Sequence, residues 1–400
     1  MTSSIEEIEK GLIVSCNSCG VFVRLATGGG FKIFWLIWVQ LDRIAIALLL
    51  IQRLGQKFLI KFDSKSMTDN MSKTSSMKYY DIHGILRASS NRAWFPDYFL
   101  AEPLSNVDLV INKGNFTYKQ IEGQFLGGNG ELYTNISYFG LPVRKMLLKD
   151  LMGKTELHFT ELTDRFFYHA ISCLIWVLVE IKLLQKGCTF VHAAGISRSG
   201  KAHVIAGWTM MGKSSTIFGL ARHGVEILGD DVVIISKKGM VYPFPEKVGL
   251  GTNTANVRLS LRQKIEVNLR HSLHRLTSIS PILRALFPIE STASVDLSKI
   301  AKIGSKAKLD KTFILSKGKK TERIDKNTAI NRIVASTLHA MMSPGVTREI
   351  FMAYCYFNDF DPNFIETKMR NILHQSLKEC IVLGSGKKKY YKSVLSEILE

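Results

Sequence analysis

Cysteine is scarce in this chain: six in 400 residues are too few for a disulfide scaffold. Four of them, Cys173, Cys188, Cys355 and Cys380, stand singly in apolar or ordinary surroundings, which suits a reducing, intracellular setting. The other two form one C-x-x-C, Cys16-Asn-Ser-Cys19. A zinc site would call for a second such pair, so no metal is expected there. Acidic residues are also few, 34 against 53 Lys and Arg, leaving a net charge of +19. That balance favours anionic partners (nucleotides, phosphorylated substrates, nucleic acid or an acidic membrane surface) without choosing among them. No basic patch interleaved with aromatics is present, which makes nucleic acid the weakest of the four. There is no internal repeat. No secretory signal is expected, because no short apolar core near the start leads to a small-residue cleavage site.

What is present describes a globular protein, 46% hydrophobic and 22% charged, long enough for two or three domains. Residues 1–76 read as an apolar extension unlike the rest. Within it, Phe31–Ile51 is long enough for a membrane span of about 20 residues, but Asp42 and Arg43 sit at its centre, where each would be costly in lipid. Peripheral membrane contact through 31–62 and a helix packed on the main body are the two structural expectations. A third is that translation starts near Met77, where a globular pattern begins; an N-terminal peptide upstream of Met67 from native cells would sink it. Residues 77–162 read as a small β-rich domain of short alternating runs, such as Val107–Ile111, Glu131–Tyr138 and Glu156–Phe159, with Gly127–Gly130 as a turn. Thr163 or Asp164 is expected to cap a buried linking helix from Arg165 to Lys186, stopped by Gly187.

Residues 163–320 carry the chemistry. Cys188–Ile196 and Lys201–Ala206 read as the arms of a hairpin turned at Ser197–Gly200. The second arm delivers the chain to Gly207-Trp208-Thr209-Met210-Met211-Gly212-Lys213-Ser214, which fits G-x-x-x-x-G-K-[ST]. A helix from Ser215 follows, stopped by Gly224. Strand, glycine loop and helix N-terminus together make an anion site, since backbone N–H groups and the helix dipole favour negative charge. In that motif Lys213 reaches the β- and γ-phosphates and Ser214 coordinates Mg²⁺. Asp230-Asp231 lies between the apolar strands Val225–Leu228 and Val232–Ser236, where a second metal contact or a base would be supplied. His192 lies on the strand before the loop. Arg258 to Arg284 reads as a basic helical segment with a solvated face, and Lys311–Leu315 as a further strand. Residues 321–400 carry helical patterns at 326–342, 362–379 and 391–399, with Cys380–Leu383 as a strand.

The order of His192-Ala-Ala-Gly195, the loop, Arg222-His-Gly224 and Leu228-Gly-Asp-Asp231 resembles the catalytic domain of HPr kinase/phosphorylase and its serine-kinase-like relatives, whose core is similar to phosphoenolpyruvate carboxykinase. The match covers residues 165–250 best. The resemblance implies an α/β fold, α+β overall: a P-loop core preceded by a small β-rich domain and followed by C-terminal helices. It implies a kinase using ATP or another nucleoside triphosphate with Mg²⁺, bound by Gly207 to Ser215, with Ser214 and Asp231 at the metal. Asp230, Asp231 and His192 would deprotonate the acceptor, a serine or a small-molecule hydroxyl on a protein or metabolite. The family keeps a glycine where Met210 stands, and its later glycine-rich signature is not evident, which points away from HPr itself as the acceptor. The other readings are a non-catalytic nucleotide-binding partner or switch and, third, a nucleic-acid-associated ATPase. A cytoplasmic setting, with membrane association as the variant, and self-association both fit this reading.

Overall fold

The computed structural model describes residues 76–118, 124–138, 141–221, 223–250, 293–299, 301–318, 321–384 and 390–399, with three strands before residue 26 and single helical positions between 265 and 272. The expected segment 31–62, Cys19, Arg222 and the basic side chains from Arg258 to Arg284 lie outside the described residues. The chain divides into two units, Met1–Ser75 and Ser76–Glu400. In the first, β1 (Ile5–Ile8), β2 (Gly11–Cys16) and β3 (Val21–Leu25) pair as an antiparallel meander.

The second unit opens with β4 (Lys78–Ile82), β5 (Leu86–Ser90), β6 (Leu100–Ala101), β7 (Leu109–Lys113), β8 (Phe125–Gly128), β9 (Glu131–Tyr138), β10 (Leu141–Lys149) and β11 (Thr155–Phe159). They form one mixed sheet in the order β6-β4-β5-β7-β11-β10-β9-β8, with β7 parallel to both β5 and β11. The turn between β8 and β9 uses Asn129 and Gly130 at φ 54° and 78°, the left-handed pair that suits a two-residue hairpin.

Helix α1 (Glu161–Gln185) follows. Its cap is Thr160, whose hydroxyl accepts from Thr163 N at 3.3 Å, rather than Thr163 or Asp164. Those two lie inside the first turn, where Asp164 pairs with Arg92 and, at 3.8 Å, with Lys113. Among the described residues α1 is the one helix long and apolar enough to cross a membrane, but most of its apolar stretch is buried against the protein. Its length is explained by contacts on several sides, since one contiguous core joins it to Leu109, Leu157, Phe190, Val204 and Ile333.

The larger sheet is built from β12 (Cys188–Val191), β13 (Ala193–Arg198), β14 (Lys201–Ala206), β15 (Glu226–Gly229), β16 (Val233–Ser236) and β17 (Met240–Tyr242). A separate pair, β18 (Lys247–Leu250) and β19 (Ala293–Asp296), comes next, and β20 (Ala307–Ser316), β21 (Glu322–Arg323) and β22 (Glu379–Gly384) complete the sheet. Its order is β12-β16-β17-β20-β14-β13-β15, with β22 parallel to β20. Helices α2 (Lys213–Ala221), α3 (Lys326–Met342), α5 (Phe364–Ser376) and α6 (Tyr391–Leu399) flank it, whereas α4 (Gly345–Phe357) packs on α1 and on β8 and β9 of the first sheet. The fold is therefore mixed α/β, α+β overall, with two mixed sheets.

Both faces of the larger sheet are covered, and the alternation of its side chains records this. Ile314, Cys380 and Val382 face the core shared with α1, α3 and α5, whereas Phe313, Leu315, Ile381 and Leu383 face the core shared with α2 and α6. A strand buried on both faces has no polar side to display, so these strands read as continuous apolar runs. Two features depart from the sequence expectation. The run Cys188–Ile196 is not one strand: it breaks at His192, with β12 pairing β16 and β13 pairing β14 and β15. Helix α4 was not anticipated, because Ser343-Pro344-Gly345 resembles a loop; its Ile350, Phe351 and Tyr354 are buried and hold it in place.

Candidate active site

Strand β14 stops at Ala206 because the next residue must turn away from the sheet. A Cβ on Gly207 would lie 3.1 Å from Leu315 Cβ on β20, so the chain turns there at close quarters. Between Gly207 and α2 the loop closes on itself, with Met211 N donating to Trp208 O at 3.1 Å. Gly212 has φ 102°, open to glycine alone without cost, but Met210 also lies in the left-handed region at φ 63° with its side chain 81% exposed. The first turn of α2 is tied back onto Gly212, whose carbonyl accepts from Ser215 Oγ at 2.9 Å and Thr216 Oγ1 at 2.8 Å.

Lys213 is buried and spans the inside of the loop. Its ammonium donates to Gly207 O at 3.0 Å and lies 3.0 Å from His192 Nε2. A lysine ammonium has no lone pair, so Nε2 is the acceptor and the imidazole is neutral with its proton on Nδ1. That tautomer agrees with a hydrogen bond between the ring and the Asp231 backbone. Burial and then the Lys213 charge hold the histidine below its usual value, against the pull of Asp231. Burial likewise lowers Lys213, opposed by Asp231 and Asp230. His192 reaches this place because the strand breaks there: its own N–H leaves the ladder and donates to Thr337 Oγ1 of α3 at 3.1 Å.

The paired aspartates follow β15 and part company. A Cβ on Gly229 would lie 2.1 Å from Val232 O, so the turn that carries them closes only around glycine. Asp230 is 4% exposed, its side chain bonds Ser214, and its Oδ1 is buried without a hydrogen-bond partner. Burial, and then the neighbouring Asp231 charge, push its carboxyl well above the carboxylate range. Asp231 is exposed.

Two residues here escaped the sequence reading. Glu246 is the first. Phe244 N donates to Leu228 O at 2.7 Å and Glu246 N to Phe244 O at 3.0 Å, which lays the segment after β17 along β15. Burial, then Asp231 and Asp230, push the Glu246 carboxyl up to about 8. Its only sequence signal was a lone carboxylate after Pro243-Phe244-Pro245, too common a pattern to single out. The second is His339 on α3, which stacks on Trp208 with ring centroids 4.5 Å apart and planes 21° apart. Nothing in the spacing of residues 208 and 339 could have signalled it. Trp208 and Thr209 are exposed on the loop, and Ser215 in the first turn of α2.

The arrangement offers a cationic group and converging helix N–H groups for an anion, a carboxyl and a hydroxyl for a cation, and a neutral imidazole beside an exposed carboxylate. Among the described residues, no group of three or more His, Cys, Asp and Glu side chains is placed to hold a metal by itself. No protein-family model matches the chain. Nor does any curated protein match it.

Proposed function

We propose that the chain is an Mg²⁺-dependent phosphotransferase of the HPr-kinase-like P-loop group, moving a phosphoryl group from a nucleoside triphosphate to a serine or small-molecule hydroxyl. One observation carries the reading. Lys213 Nζ at the end of the glycine loop lies 3.0 Å from His192 Nε2, while Ser214, the next residue, bonds buried Asp230. Groups for phosphate, cation and proton meet at the N-terminus of one helix.

Phosphoryl transfer asks the protein for charge neutralisation and positioning more than for covalent chemistry. Lys213 supplies the fixed positive charge, and the α2 N-terminus supplies N–H groups and the dipole. Ser214 and Asp230 are oxygen donors of the kind Mg²⁺ takes, and the orphaned Asp230 Oδ1 fits a cation that keeps several waters of its own. Bound there, the ion would offset charge on the phosphate oxygens. The sequence reading gave the metal to Ser214 and Asp231; the Ser214 bond favours Asp230 for that task and leaves exposed Asp231 for the acceptor. Asp231 takes the proton of the acceptor hydroxyl as its oxygen bonds the γ-phosphorus and the bridge to the nucleoside diphosphate breaks. His192, neutral and hydrogen-bonded on both nitrogens, positions Lys213 against the Asp231 backbone.

The second reading, a nucleotide-binding partner without transfer, has its own support: Met210 in a left-handed conformation and a Lys213 ammonium already satisfied by Gly207 O. One comparison separates the two. ATP binding and turnover are measured for the wild type, Lys213→Ala and Asp230→Ala. Turnover in the wild type alone supports the transferase. Binding lost only in Lys213→Ala, with no turnover in any form, supports the partner. A wild type that binds no nucleotide ends both. Labelled-phosphate transfer into cell extract then identifies the acceptor.

A further inference from the structure

The loop that would hold the phosphates also carries an aromatic surface. Trp208, one residue past Gly207, is 50% exposed although one face of its indole is covered by the His339 ring at 4.5 Å. Half exposure with one face covered leaves the other face open to solvent. The open face belongs to a large π-system beside the glycine loop, a surface on which another planar ring can stack. The indole is also held: α3 supplies His339 beneath it and, two residues earlier, Thr337 Oγ1 to the His192 backbone at 3.1 Å. One helix end therefore fixes both the ring and the histidine that touches Lys213.

We propose that the free face of Trp208 is a stacking platform for the base of the nucleoside triphosphate, so that the donor is recognised at its base as well as its phosphates. The inference rests on the phosphotransferase reading above. Reach is sufficient: the chain from Trp208 to Gly212 spans at most about 14 Å, a separation that the ribose and the rest of the phosphate chain bridge. Every base has a π-face, so the platform tolerates purines and pyrimidines alike and selects a nucleotide over an inorganic polyphosphate. Base–aromatic stacking is worth about tenfold or more in affinity per base. His339 acts through Trp208: its ring fixes the indole in the orientation that leaves one face free.

The test compares ATP with inorganic tripolyphosphate, both with Mg²⁺, by calorimetry on the full chain. The wild type is expected to prefer ATP by about tenfold or more. In Trp208→Ala the two ligands are expected to bind within about threefold of each other, through loss of ATP affinity while tripolyphosphate still binds. Trp208→Phe keeps most of the preference, and His339→Ala loses part of it. If Trp208→Ala keeps the preference, or weakens both ligands alike, the platform is wrong while the phosphate loop stands. If the wild type binds neither ligand, the phosphotransferase reading fails and this one with it.

Discussion

The Lys213 ammonium lies 3.0 Å from His192 Nε2, a contact between residues 21 positions apart. It ties the end of the glycine loop to the break between β12 and β13. His192→Ala is expected to cut phosphoryl transfer by about 10²-fold, in keeping with the loss of a positioned group beside the reacting centre. Nucleotide affinity should change much less, because Lys213 keeps Gly207 O as a partner. Parallel calorimetry and turnover read this, and equal losses in both would contradict it.

Met210 sits at φ 63° with its side chain in solvent, so nothing it touches offsets the conformational cost. A left-handed non-glycine residue costs roughly 1–2 kcal/mol. Glycine removes that cost and returns about 0.4–1 kcal/mol through its freer unfolded chain. Met210→Gly is therefore expected to stabilise the protein by up to about 1.6 kcal/mol, a rise in melting temperature of up to about 3 °C. Met210→Val should lower stability, since a β-branched residue fits the left-handed region worst. Thermal denaturation of the pair checks the sign.

Asp230 sets function against stability. Its folded pKa lies above its unfolded one, so the folded state keeps a proton the unfolded state gives up, and stability falls as pH rises above the unfolded pKa. Asp230→Asn removes the ionisable group and keeps the shape. It is expected to melt higher than the wild type at pH 8, by at least about 2 °C, while transferring phosphate at below about 1% of the wild-type rate. A mutant that melts lower at pH 8 would mean that the ionised aspartate is held by groups other than Ser214 and Lys213.

Glu180 makes the same physics visible far from the loop. It is fully buried in α1, accepting from Thr189 Oγ1 at 2.5 Å and Phe190 N at 2.7 Å, and burial pushes it up to about 8. Between the unfolded value near 4.5 and about 8 the unfolded chain releases a proton that the folded one keeps. Stability should fall across that window by up to about 1.4 kcal/mol per pH unit from this group, and level off above it. Glu180→Gln should flatten the slope by about one proton. Chemical denaturation at pH 5, 6, 7 and 8 measures it, and an unchanged slope would show that Glu180 is ionised in the folded protein.

Much of the fold was legible because its strands have simple reasons to be strands. Glu131–Tyr138 occupies the span read from its alternation, and Lys201–Ala206 the span read from its apolar run. The helices at 326–342 and 391–399 lie where their periodicity put them. The break at His192 was not legible, since an apolar run is the same whether one strand or two share it; only the partners β16 and β14 divide it. At the candidate site, Lys213 and Ser214 stood out by motif and Asp230 and Asp231 by their place between two strands, whereas His192 was singled out only through the family resemblance. Glu246 and His339 did not stand out, because each reaches the site through a backbone path or a helix far along the chain.

The sequence by itself determined the local pieces: a strand ending at Ala206, a glycine loop, a helix after it, read from Ser215 and found to start at Lys213, and two aspartates between apolar strands. These follow from periodicity, chirality and the room a Cβ needs, which act over a few residues. Only the tertiary structure decided which aspartate is buried against Ser214, which nitrogen of His192 faces Lys213, and which ring lies on Trp208. Burial and hydrogen-bond geometry depend on what packs alongside, and the neighbours here come from α3, β15 and the segment after β17.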